Sequence, residues 1–415
     1  MNKKQAWHIR WLYFLLFIAA GFGAPWIGYF CKHTLIHPDG TPAIELIKIL
    51  FFVMPIIGLF ASMFSGVIAD RLKIGNHIIA YACLLLFVID ILIAQLAEEW
   101  TSAWSLTTKF WVMFSLFVVM TIAHRPISPL IEAETMIFLN TYKRREHYGI
   151  LRLWGTFGWM VSTILMGIGL FLSDNAYAIV YYASAIGFLS VGAITIKGTK
   201  AKLPSKPIQI PWEHLQKDHM FKLFLVFVFI YGIFATASFS YISYFFDDVM
   251  QNPLHIGLLI GLWTLFEIPI MIFSHTLIKL LGNRWLIVLG LGFTALRFIL
   301  YSFFTPETPF LTKFLVTLIH GPAYGLGHIG MIDLVDRQAH GDMRHTYMTL
   351  YSAALYTLAA AIGGFIGGSI IQAWDTLLLM RVCGIGIIIS ALFFIFFVHD
   401  QKNRQKAPPY CKTPL

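Results

Sequence analysis

Twelve stretches of this chain are too apolar and too long for the core of an ordinary water-soluble domain. They fall at 11–30, 44–69, 76–96, 110–138, 149–171 and 176–196, then at 221–246, 255–280, 285–304, 310–335, 347–371 and 376–398. A helix rises about 1.5 Å per residue, so about 20 apolar residues match a hydrocarbon layer about 30 Å thick. Backbone amides find no water there, and repeated single runs satisfy them only as helices. Composition agrees: 58% of the 415 residues are hydrophobic and 12% are charged, where soluble domains run near about 45–50% and about 25%. The expected fold is all-α, a polytopic membrane protein with about twelve transmembrane helices in two pseudo-symmetric six-helix bundles.

Cations set the expected orientation. One set of connections carries Lys3, Lys4 and Arg10; Arg71 and Lys73; Lys143, Arg144 and Arg145; a lysine-rich stretch at 197–217; Lys279 and Arg284; Arg337 and Arg344; and Lys402, Arg404, Lys406 and Lys412. The alternate connections carry Lys32, Lys109 and Lys313 beside Asp39, Glu98, Glu99, Asp174, Asp247, Asp248, Glu307 and Asp375. The positive-inside rule then puts both termini in the cytoplasm and requires an even number of spans. The expected layout is an N-terminal bundle at 1–196, a cytoplasmic linker at 197–220, a C-terminal bundle at 221–398 and a cytoplasmic tail at 399–415. The basic, apolar start imitates a secretory signal. Its run continues to Phe30, too long for one, so it reads as a retained first helix in a plasma membrane, here the bacterial inner membrane.

The net charge of +9 follows this topology and makes no basic patch, so nucleic acid is not an expected partner. Cys31, Cys83, Cys383 and Cys411 are scattered and form neither a disulfide framework nor a metal motif. No nucleophile–base set or phosphate loop is legible. Neither an enzyme nor a cofactor is expected, and the expected form is a monomer in the lipid bilayer.

Ionisable groups inside the apolar runs point to function. Each costs about 2.5–3.5 kcal/mol at a bilayer centre on insertion scales, so a chain keeps those that pair, face a wet cavity or bind something. Arg125 and Glu132 stand seven apart in the fourth run, two helical turns along one face. Arg152 opens the fifth run and Trp159 follows seven residues later. The eighth, ninth and tenth runs hold Glu267, Arg297 and His320. His328, Asp333 and Arg381 are expected to make a structural network between the tenth and twelfth helices. Gly363-Gly364-Phe365-Ile366-Gly367-Gly368 reads as close helix packing.

Gly66-Val67-Ile68-Ala69-Asp70-Arg71-Leu72-Lys73 resembles the G-x-x-x-D-R-x-x-[KR] signature of the major facilitator superfamily. The resemblance implies a conformational latch at Gly66, Asp70 and Arg71. Within that superfamily the chain looks like the clan of lactose permease, the nucleoside–proton symporters and the phenylpropionate permeases. Pro129-Leu130-Ile131-Glu132-Ala133 resembles the clan's P-x-x-[DE]-A, and Arg152-Leu153-Trp154-Gly155-Thr156-Phe157-Gly158-Trp159 its R-x-[WF]-G-x-x-G-[WF]. The resemblance implies that Glu132 accepts from substrate hydroxyls, that Arg152 pairs with Glu132 and donates to substrate, and that Trp159 forms a platform for a ring. The alternative is a structural ion pair with Trp159 as packing. Glu267, Arg297 and His320 match the clan's substrate and proton-coupling network. Arg125 is read as facing the cavity, where it would hold a substrate carboxylate or phosphate or repel a proton from Glu132.

The chain departs from lactose permease at Ala323, where that protein has a glutamate, and between Tyr231 and Phe246, where it has aspartates. Glu267, Glu132 or Asp333 would then have to carry the proton. The expected function is proton-coupled import of a small polar organic solute (a sugar, nucleoside or aromatic acid) by alternating access, driven by the proton gradient. A proton-antiport efflux pump of the same fold is the alternative, and a non-transporting membrane receptor a more remote one.

Overall fold

A computed structural model describes residues 3–72, 75–98, 101–142, 147–174, 176–195, 218–338 and 344–398, with the backbone alone described at 65–72, 75–76, 133, 274–275 and 344–345. The signature residues Gly66, Asp70 and Arg71, most of the 197–220 linker and the 399–415 tail therefore lie outside the described side chains.

Twelve rods follow one another among the described residues. The first six are α1 Lys3–Thr34, α2 Ile44–Leu72, α3 Gly75–Gln95, α4 Leu106–Thr141, α5 Tyr148–Leu172 and α6 Ile179–Thr195. The next are α7 His219–Ser240 with its extension Ile242–Met250, α8 at 253–281 and α9 at 283–301. The last are α10 at 310–338, α11 at 344–373 and α12 Thr376–Phe397. Among the described residues ten helices are long and apolar enough to cross a membrane. By that measure α6 is short, at 17 residues, and α10 divides into Phe310–Leu318 and a more polar His320–Gln338.

Several rods break at identifiable places. In α1 the 3₁₀ turn Ala24–Trp26 holds Pro25, which cannot donate to the helical ladder. In α4 the helix ends at His124 and restarts at Ile127, across Pro126. In α8 a 3₁₀ turn, Trp263–Phe266, lies just before Glu267. In α11 a π-helical segment spans Ala354–Leu358, a form that recurs at functional sites. Gly282 takes φ +73° between α8 and α9, where a side chain would be strained.

Within the first six helices α1 packs on α5 and α6, α3 on α6, and α2 on α4. Within the last six, α9 packs on α10 and α12, and α7 on α11 and α12. The halves join through α2–α11, α5–α8 and the ends of α1 and α7. Let the near face be the one where α1 begins and α12 ends. The joints then gather toward the far face. Gly167 of α5 meets Gly257 of α8 so closely that a Cβ on Gly257 would stand 2.8 Å from the Gly167 Cα. The glycine run of α11 packs as its sequence suggested: a Cβ on Gly364 would meet Phe51 of α2 at 2.7 Å, and Tyr241 donates to the Gly364 carbonyl at 3.0 Å. Lys48 of α2 donates to Gln372 of α11 at 2.7 Å.

Candidate functional site

A cavity of about 360 Å³ lies between the halves. The first half contributes Phe17 from α1 and Arg152, Thr156 and Trp159 from α5, one stripe at helical spacing. Most of the remaining wall comes from α7 to α11. Five residues singled out in the sequence, Arg152, Trp159, Glu267, Arg297 and His320, thus meet around one space.

Arg152 is central to the electrostatics. Its guanidinium lies over the Phe17 ring, 4.6 Å from the centroid, and it acts on Glu132 within its own half and on Glu267 across the cavity. Glu267 is 8% exposed and Arg297 6%. Arg297 donates through Nη1 to His320 Nδ1, while its Nε is buried with no hydrogen-bond partner. The guanidinium also lies 4.6 Å from the Phe298 centroid. Buried charge of this kind is expensive in a membrane, which makes these groups candidates for function.

The aromatic wall is more ordered than its sequence suggested. Trp263 stacks on His320 with centroids 4.3 Å apart. His320 stacks on Tyr324 at 5.7 Å, and Tyr324 on His328 at 5.0 Å, with the planes of each pair within 12°. The last three residues stand four apart on α10, so each lies one turn above the next. That period is legible in the sequence, but Tyr324 carries no charge and His328 is expected there in a network with Asp333 and Arg381. The network expected of His328, Asp333 and Arg381 does not form. His328 lines the cavity, Asp333 pairs with Arg337 at 2.7 Å on the next turn, and Arg381 lies over Phe303 at 5.8 Å.

Two predicted site residues lie outside the cavity wall. Glu132 is half-buried in α4 and accepts from Ser128 Oγ at 3.3 Å. Arg125, at the break in α4, lies over Gly58 of α2, where a Cβ would stand 2.5 Å from its Nε. Among the described residues no group of three or more histidine, cysteine or acidic side chains could hold a metal ion.

Residues 6–382 match the MFS_1 like family. The maltose permease of Geobacillus stearothermophilus is 25% identical over 295 residues, covering 67% of this chain and 72% of that one. Major facilitator superfamily domain-containing protein 6-like protein B of Xenopus laevis is 23% identical over 313 residues, which cover 72% of this chain and 50% of that one, so the chain spans about half the length of that relative. A mutant of the nucleoside transporter NupG superposes with a TM-score of 0.80 at 16% identity, covering 95% of this chain and all of that one. The xylose transporter XylE from E. coli, in a partially occluded inward-open form, gives 0.71 at 12% identity over 97% of this chain and 100% of that one. The twelve-helix fold and its central cavity are those of a membrane transporter. The chain belongs to the MFS_1 like family of the major facilitator superfamily; it is an integral membrane protein, and its work is transport, not catalysis.

Proposed function

We propose that the protein is a proton-coupled symporter that imports a hydroxylated ring compound, a sugar or nucleoside, across a bacterial inner membrane. The observation that carries this reading is the meeting of Arg152 and Trp159 from one half with Glu267, Arg297 and His320 from the other around one cavity. A sugar or nucleoside offers hydroxyl donors at its edge and an apolar ring face. Arg152 and Glu267 suit the first, and Trp159 and the Trp263–His320 stack suit the second. The names of the relatives favour the same class, since they include a maltose permease, a nucleoside transporter and a xylose transporter.

In this reading both termini are cytoplasmic and the near face is the inner one. The far-face joints close the outside, and the substrate leaves inward. Glu267 takes a proton from the outside, substrate bridges the halves, and the halves rock about the site. Neutralising the buried acid lowers the cost of moving it through a membrane potential, about 2.3 kcal/mol per charge at 100 mV. Glu132 tunes Arg152, and Gly66, Asp70 and Arg71 latch the inner side when the outside is open. The protein acts as a monomer.

The test is substrate-induced alkalinisation. De-energised cells expressing the protein receive sugars, nucleosides and aromatic acids, with Glu267→Gln cells beside them. A pH rise with one compound, absent in the variant, supports symport and names the substrate. Uptake of that compound without proton movement would overturn the coupling, and extrusion of it against the gradient would overturn the direction.

A further inference from the structure

Among the described residues, Arg297 of α9 is a cation in the cavity wall with no anion beside it. Aromatic rings surround it: the guanidinium lies 4.6 Å from the Phe298 centroid and 5.7 Å from that of Tyr301. Its hydrogen bond goes to His320 Nδ1, and its Nε has no partner. A guanidinium can only donate, so His320 accepts on Nδ1 as a neutral ring, and the bond leaves the charge of Arg297 uncompensated. The other ionisable groups that act on Arg297 are Tyr231 and Tyr301. Ala323, which follows His320 on α10 and also lines the cavity, supplies no acid. The arginine of the first half is placed differently. Arg152 acts on two carboxylates, Glu132 within its own half and Glu267 across the cavity.

The charges around the cavity balance only in one state. Arg152 and Arg297 bring two positive charges, and ionised Glu267 and Glu132 bring two negative ones. A proton on Glu267, which import requires in the reading above, leaves one positive charge over. Tyrosines in the wall carry no charge near neutral pH, and a proton on His328, the other imidazole there, would add to the excess. Arginine does not give up its proton in a protein, so Arg297 cannot remove the excess itself. An unpaired charge at membrane depth is expensive. A bound monoanion restores the balance. The site is neutral with one proton and one anion aboard, and neutral again when both have left. The planar fork of an arginine pairs with a carboxylate through two parallel N–H donors. One free fork suits a single carboxylate, where a phosphate dianion would ask for a second cation.

We propose that the imported solute is a sugar acid, a hydroxylated ring that carries one carboxylate, and that Arg297 holds the carboxylate. The proposal rests on the symport reading and narrows its substrate to an anion. The ring keeps its place against Trp159 and the Trp263–His320 stack, and its hydroxyls keep Arg152 and Glu267. Transport then moves one proton with one anion and no net charge, so the pH gradient drives it and the membrane potential does not.

The test uses the full chain in liposomes, with potassium and valinomycin setting the potential and buffers setting the pH gradient. Radiolabelled glucuronate and galacturonate are compared with glucose and galactose, which have the same rings without the carboxylate. Thermal stabilisation of the purified protein by each compound reads binding apart from transport. At least one acid should enter about tenfold faster than its parent sugar under an inside-alkaline gradient. An inside-negative potential should change that rate by less than about twofold. Arg297→Gln should weaken binding of the acid by about ten- to hundredfold and leave the parent sugar as it was. Arg297→Lys, a point charge without the fork, should recover part of the loss. The comparison of acid with parent in the unaltered protein carries the test if Arg297→Gln folds poorly. Neither uptake of nor stabilisation by either acid overturns the proposal, as does an acid that binds Arg297→Gln as well as the wild type. Acid uptake that moves no proton and follows the potential sinks the symport reading and spares the carboxylate site. Proton entry with glucose or galactose alone does the reverse.

Discussion

The indole of Trp263 lies flat against the imidazole of His320, their centroids 4.3 Å apart and their planes inclined by 18°. The two residues come from α8 and α10, and the same imidazole accepts from Arg297 of α9, so one ring organises three helices. Trp263→Ala should free the imidazole and weaken substrate binding. Aromatic pairs are worth about 0.5–1.5 kcal/mol beyond buried area, so the expected loss is about two- to twelvefold in affinity. Trp263→Phe should recover most of it. Calorimetric titration with the identified substrate decides the matter, and unchanged affinity in Trp263→Ala would remove the stack from the site.

The approach of Gly167 to Gly257 makes a second prediction. A side chain at 257 would stand 2.6 Å from the Thr163 carbonyl and 2.8 Å from the Gly167 Cα, and both obstacles are backbone. Gly257→Trp should therefore prevent α5 and α8 from closing. Net uptake should disappear while substrate still binds from the far side. Spectroscopic labels placed on the far ends of α5 and α8 should report the two helices held apart.

Glu267 separates binding from coupling. Gln keeps the shape and one carbonyl acceptor but no longer takes up and releases a proton. Glu267→Gln should lose accumulation against a gradient by at least about tenfold and retain exchange of labelled for unlabelled substrate. Loss of exchange together with accumulation would mean that the acid is needed for binding itself.

Lys313 is 2% exposed and donates to the carbonyls of Val249 and Pro306. It holds the far end of the α7 extension, on which Asp247 and Asp248 lie. Lys313→Met should leave the buried Val249 carbonyl without its donor, at about 1–3 kcal/mol, while the exposed Pro306 carbonyl turns to water. A lower melting temperature in detergent is expected. A melting curve that matches wild type would show that water replaces the ammonium.

The rods were legible because hydrocarbon asks so little of a sequence: length and apolarity suffice, and the observed helices follow the expected spans closely. The cavity was legible where charge is rare. Arg152, Glu267, Arg297 and His320 stood out against apolar neighbours, and the fold brings them together. What escaped was charge where charge is common. Lys32, Asp247 and Asp248 looked like ordinary loop residues, useful only for orientation, because nothing local says that two connections more than 200 residues apart will touch. Arg125 and Glu132 show the opposite difficulty. Their spacing puts them on one face of a continuous helix, but α4 breaks at Pro126 between them, and neither reaches the cavity wall.

The 3₁₀ turn Trp263–Phe266 gives α8 three parts with different tasks. Above it, Gly257 closes on the other half; at it, Trp263 touches the site; directly below it begins the segment that carries Glu267. A tighter, more weakly bonded turn at that position is suited to serve as a joint in a lever. In the proposed cycle a solute in the cavity would therefore bear on the same rod that closes against the other half, and its presence would be felt at the entrance without a relay through the rest of the protein.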